Sequence, residues 1–204
     1  MASPVRVILV TDGDKVARRA LESVAADLGL RCISASAGNP SPLSGPELVE
    51  LIKQAPHDPV VVMVDDKGNP GCGPGETALA YLCRSDAITV LGAVAVASNT
   101  RHARGTTVDA SVTRDGRVVP LPVDKCGRPE THQKALQGDT VDVLRELQVP
   151  VVIGLGDPGK MDGAESIQRG YAATERAIKE VLKRSGHTPP VGSPTAAHPA
   201  EPHP

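Results

Sequence analysis

Four stretches of this chain stay apolar without alternating, and they decide most of what it can fold into. They are VRVILVT (residues 5–11, interrupted only by Arg6), VVVMV within DPVVVMVDD (60–64), ITVLGAVAVAS (88–98) and VPVVIG (149–154). A strand wetted on one side alternates apolar with polar residues. One that is apolar throughout is buried on both faces, which demands a layer above the sheet and another below it. The intervening segments repeat with the period of a helix. Over 14–28, Ala17, Ala20, Leu21, Val24 and Leu28 share a face that Arg18, Arg19, Glu22 and Asp27 avoid, and Gly29 ends the run. Pro46 opens a second helix with Leu48, Leu51 and Ile52 inward, and Pro74 opens a third through Tyr81 and Leu82. Further helices are expected over about 139–147 and 172–183, the last with Ala173, Ala177, Ile178 and Val181 inside.

Strand and helix in alternation define an α/β protein with a mostly parallel central sheet. We expect a single flavodoxin-like three-layer sandwich over residues 4–185, with the strands at 5–11, 60–64 and 88–98 adjacent at its centre. A shorter strand is expected at 31–35. Within TTVDASVTRDGRVVPLPV two more should meet in a hairpin at Arg114-Asp115-Gly116, because Asp-Gly favours the tight turn. From residue 186 to 204 the chain is rich in proline with almost nothing to bury, and is expected to be a disordered tail carrying His187, His198 and His203.

Composition narrows the function. The chain has 204 residues, 40% hydrophobic and 23% charged, with 22 basic against 24 acidic residues. That balance argues against a nucleic-acid partner, and so does the near absence of aromatics: Tyr81 and Tyr171 are the only two, so no base-stacking platform is available. Cys32, Cys72, Cys83 and Cys126 have no paired spacing and are expected to be reduced thiols. The first apolar run is too short for a secretion signal and no run is long enough to span a bilayer, so a cytoplasmic protein is expected.

Parallel sheets place ligands at the carboxyl ends of their strands. Those ends carry Asp12 and Asp14 after the first long strand, Asp65 and Asp66 after 60–64, Ser98 and Asn99 after 88–98, and Gly156, Asp157 and Lys160 after the last. These nine residues are the candidate ligand-binding set. Asp12 and Asp65 are the candidate ligands of a hard divalent cation, Mg²⁺ or Ca²⁺. The plain alternative is structural: Asp14 caps the first helix, and Asp12 or Asp65 braces a turn. A D-x-D phosphoryl-transfer domain of the Toprim type fits only in part, since no glutamate ends an upstream strand. GLGDPGK (154–160) satisfies the letters of two phosphate-binding motifs, but Met161 stands where a P-loop needs Ser or Thr, and Asp157 puts negative charge where phosphate would sit. Lys160 with nearby amides could still hold an anion. KGNPGCGPGE offers amides beside the start of the third helix and contains Cys72, while His102 lies between Arg101 and Arg104. No nucleophile elbow or triad order is present, so the residues alone name no reaction.

The strings ILVTDGD, RCISASAGNP, DPVVVMVDDKGNPGCGPGE, VLGAVAVASNT, VDASV, GDTV and VVIGLGDPGKMDG, in that order, resemble the stage V sporulation protein AE family over about residues 5–186. The resemblance implies a soluble accessory protein of a bacterial spore former, associated with uptake of dipicolinic acid as its calcium chelate. It implies membrane proteins of the same operon as partners and a place in the forespore cytoplasm, at the inner spore membrane or free of it, and it does not by itself imply a catalytic mechanism. Homo-oligomerisation stays open. So does a second class of function, a metal-dependent hydrolase or phosphotransferase using Asp12, Asp14, Asp65 and Asp66.

Overall fold

Strand β1 (Val5–Val10) turns into helix α1 (Lys15–Asp27) within four residues because Asp14 caps it, its carboxylate accepting the Val16 and Ala17 amides at 2.7 and 2.8 Å. The far end closes on Gly29, whose positive φ of 67° lets Leu30 donate back to the Ala25 carbonyl. These details come from a computed structural model that describes residues 3–68, 73–98 and 104–187. The expectations placed on Cys72, Asn99, Arg101, His102 and the segment 188–204 lie outside the described residues.

Strand β2 (Arg31–Cys32) is shorter than the 31–35 expected from the sequence. Ser36 is the reason: its hydroxyl donates to the Ile33 carbonyl and accepts the Met63 amide, which winds 34–36 into a 3₁₀ turn stitched to the next strand. Helix α2 (Gly45–Lys53) starts with a reciprocal Ser44–Glu47 cap. Then follow β3 (Val60–Met63), α3 (Pro74–Arg84) and β4 (Ile88–Val96). The expected hairpin is present as β5 (Ala110–Val112) and β6 (Val118–Val119), with Gly116 in the left-handed region its turn requires. The helix expected over 139–147 is not formed. A single 3₁₀ turn, Asp142–Arg145, takes its place, because the Asp139 and Asp142 carboxylates reach out to amides of other loops and bend the segment toward them. Strand β7 (Val152–Leu155) and helix α4 (Ala172–Arg184) complete the described elements.

Among the described residues the strands form one sheet in the order β2-β3-β1-β4-β7-β5-β6. Every pairing is parallel except the β5–β6 hairpin. The three long strands are adjacent at the centre, as their unbroken apolar character requires, and β1 lies between the other two. Both faces are covered. Ile8 and Val10 pack with α1 and α4, while Val7 and Leu9 pack with α2 and α3. The α/β class and its flavodoxin-like sandwich therefore stand, with the local arrangement that β3 adjoins both β1 and β2. Each large side chain withdrawn this way contributes about 1.5–3 kcal/mol. Gly92 lets α4 lie close, since a Cβ there would meet Val181 Cγ1 at 2.8 Å and the Val151 carbonyl at 2.6 Å. No described helix is long and apolar enough to cross a membrane.

Candidate functional site

The parallel strands bring four buried aspartates to one edge of the sheet. Asp12, Asp65, Asp66 and Asp157 are each at least nine-tenths buried. Their position follows from the backbone. Thr11 holds the end of β1 against β4, donating its amide to the Val94 carbonyl and accepting the Val96 amide on its hydroxyl. Ser41 does the same for the end of β3, exchanging hydrogen bonds with the Asp65 backbone at 2.8 Å in both directions.

The carboxylates are then largely committed to amides. Asp12 accepts the Asp14 amide at 3.1 Å. Asp65 accepts from Gly13 on one oxygen and Lys67 on the other, at 3.2 and 2.9 Å. Asp66 reaches across to the start of α3 and accepts the Gly75 and Glu76 amides at 2.6 and 2.9 Å, capping a helix that lacks a side-chain cap of its own. That approach needs Gly73, where a Cβ would lie 2.1 Å from Asp66 Oδ1. On the other side of β1, Asp157 accepts the Gly159 amide and pairs with the Lys160 ammonium. Gly156 beside it lets the loop touch the turn at Gly127, whose amide would be 2.5 Å from an added Cβ. Ser98, at the end of β4, accepts the Asp139 amide at 2.8 Å.

Of the nine sequence candidates, Asp12 accepts the Asp14 amide and Asp157 pairs with Lys160; Asp65, Asp66 and Ser98 each take amides of neighbouring loops, and Asn99 lies outside the described residues. Asp14 serves as a helix cap, the structural alternative foreseen for it. Asp139, Asp142 and Glu76 join the set unforeseen. Asp139 accepts the Gly68 amide and Asp142 accepts those of Arg104 and Gly105. The only signal for them was Gly138, which allows the chain to pass the end of β4: a Cβ there would lie 2.4 Å from the Val96 carbonyl.

Gathering so many acids changes their protonation. Burial, with the Asp14, Asp157 and Asp65 carboxylates nearby, pushes Asp12 up to about 8 despite its one amide donor. An apolar void of about 10 Å³ lies under it, lined by Val10, Leu21 and Val96 among others. Burial also raises Asp65 to about 6, held back by the Lys67 and Gly13 amides. Glu76 reaches about 7 through burial and the charges of Asp66 and Asp142. Asp139 is raised for the same first reason. Burial works to lower Lys160, but Asp157 outweighs it, with Asp12 and Asp14 adding to the rise. Asp12, Asp65, Glu76 and Asp139 at this edge therefore hold their protons more tightly than free carboxyls do, while the Lys160 ammonium pairs with Asp157. Among the described residues no three His, Cys, Asp or Glu side chains are placed to hold a metal ion together.

Comparison with known proteins gives one match. The family model described as Stage V sporulation protein AE1 matches residues 6–185. No curated protein and no solved structure matches the chain.

Proposed function

The chain belongs to the stage V sporulation protein AE family, and on that premise we propose that it is a non-enzymatic binding or regulatory accessory for uptake of dipicolinic acid, as its calcium chelate, into the developing spore. It is a sporulation protein by family. Its proposed partners are membrane proteins of the same operon, which it meets from the forespore cytoplasm at the inner spore membrane. The observation that carries this reading is the family match, which spans the sheet and all four described helices. The carboxyl edge supports it chemically. Asp12, Asp14, Asp65, Asp66 and Asp157, most of them buried, gather at that edge with Ser98, Gly156 and Lys160, and Asn99 completes the proposed ligand set, whose excess of acids favours a cation or cation chelate over a bare anion. Asp12 and Asp65 are its proposed cation contacts. A metal-dependent hydrolase or phosphotransferase would need several carboxylates turned toward one ion. Here Asp12, Asp14, Asp65, Asp66 and Asp157 are each turned to at least one backbone amide.

The test is genetic. Deleting the gene in a spore-forming host should lower spore dipicolinate severalfold, with recovery on complementation by the full chain. Spores that keep parental dipicolinate without the protein would overturn the role.

A further inference from the structure

A groove of about 940 Å³ runs along α3, between it and the start of α2, from Ser41 and Pro74 near the carboxyl edge to Arg84 and Asp86 at the other end. Tyr81 lies in it, 46% exposed. The ring is seated on Gly45, where an added Cβ would come within 2.4 Å of Tyr81 Cβ and 2.5 Å of Cγ. Pro42, Pro46 and Pro74 line the groove with it, and Arg84 and Asp86 line it where α3 ends. A tyrosine ring bordered by prolines is the kind of surface that receives a polyproline-type segment. Such a ligand is already extended before it binds, so little conformational entropy is lost.

The chain carries a segment of that chemistry. Residues 188–204 include six prolines, with Pro199-Ala200-Glu201-Pro202 spacing two of them as PxxP. We propose that the Tyr81 groove is the docking site for this segment of the same chain, with Pro199 and Pro202 against Tyr81 and Glu201 beside Arg84.

Geometry permits it in cis. Helix α4 runs antiparallel to β4: Thr174 and Ile178 line the same small void as Val94 and Val96, while Val181 meets Gly92. Six residues beyond Val181, at about 1.5 Å each, His187 lies level with the beginning of β4. Arg84 and Asp86 lie just before that strand, and Ile88 donates its amide to the Ser85 carbonyl. The described chain therefore ends at the same edge of the sheet as the charged end of the groove, on the opposite face. From His187 to Pro199 an extended chain covers about 37 Å at about 3.1 Å per residue, enough to round the edge and enter. A tethered segment of this length has an effective concentration on the order of mM, so weak contacts suffice.

The near absence of aromatics makes the test direct. Tyr81 and Tyr171 are the only tyrosines, and Tyr171 is buried, so the Tyr81 ring protons can be followed in the full chain by NMR. Overhauser cross-peaks between that ring and proline protons are expected to be partly lost in the Pro199→Ser, Pro202→Ser double variant. They should be lost likewise in Glu201→Arg and regained in Arg84→Glu combined with Glu201→Arg. Tenfold dilution should leave them unchanged. Tyr81 ring signals identical in the parent and the double proline variant would overturn the proposal. Cross-peaks that fade on dilution would also overturn it, by assigning the groove to a second copy of the chain.

Discussion

The two halves of the sheet are built by different rules. Up to β4, the long strands β1 and β3 each lead to a helix, and a side chain in the connecting turn starts that helix, as Asp14 does for α1. Beyond β4, residues 104–150 hold short strands, two isolated bridges and a 3₁₀ turn. There the chain is held by carboxylates taking amides far away in sequence: Asp142 from Arg104 and Gly105, Asp109 from Val152. Local periodicity organises the first half, and side-chain tethers organise the second. Both nevertheless feed one core, since Leu136 and Val141 pack in the same cluster as Leu79 and Leu9.

That shared core is the first point at which the contrast can be broken. Leu79→Ala and Leu136→Ala, both at fully buried positions, should each cost about 2–5 kcal/mol in urea unfolding, in one transition. A separate early transition for Leu136→Ala would show the second half to be a unit of its own.

An effect of similar size, confined to high pH, should come from the aspartate at the end of β1. The folded protein holds protons on Asp12, Glu76 and Asp65 with values of about 8, 7 and 6, whereas the unfolded chain releases them near pH 4. Between about pH 4 and pH 8 the folded state thus binds more protons, and stability must fall as pH rises. Asp12→Asn keeps the neutral shape of the acid. It should leave stability at pH 4 nearly unchanged and raise it at pH 8 by on the order of 5 kcal/mol. Equal pH slopes for parent and variant, from melting curves across that range, would assign the protons elsewhere.

The smallest expected effect separates local from distant capping. Asp14→Ala removes a cap that α1 supplies to itself and should cost about 1 kcal/mol. Asp142→Ala strands two amides of another loop and should cost about 1–3 kcal/mol. Hydrogen exchange should then speed up at Arg104 and Gly105 but not in α1. Uniform exchange across both regions would remove the distinction.

The same contrast explains what could be read in advance. The long strands and all four α-helices follow from apolar periodicity, and the hairpin from Asp115-Gly116, because each signal is contained within a few neighbouring residues. The helix expected at 139–147 failed because Asp139 and Asp142 answer to Gly68, Arg104 and Gly105, partners no window along the sequence brings together. For the candidate site, strand ends identified the carboxylates but not their duties. Asp66 caps α3 from nine and ten residues upstream, across the loop after β3, a spacing that no local cap motif covers.

The central seat of β1 has a consequence for synthesis. Val7 finds its sheet partner in Val60 and Val5 finds its partner in Ile88, about 50 and 80 residues later in order of emergence. At ribosomal speeds of about 5–20 residues per second, the most apolar hexad of the amino-terminal region waits several seconds for neighbours on either side. Helix α1 can cover one of its faces meanwhile. The hydrogen-bonding edges stay open until β3 and then β4 are made, so the high contact order of this strand places the window for misassembly before the middle of the chain has been translated.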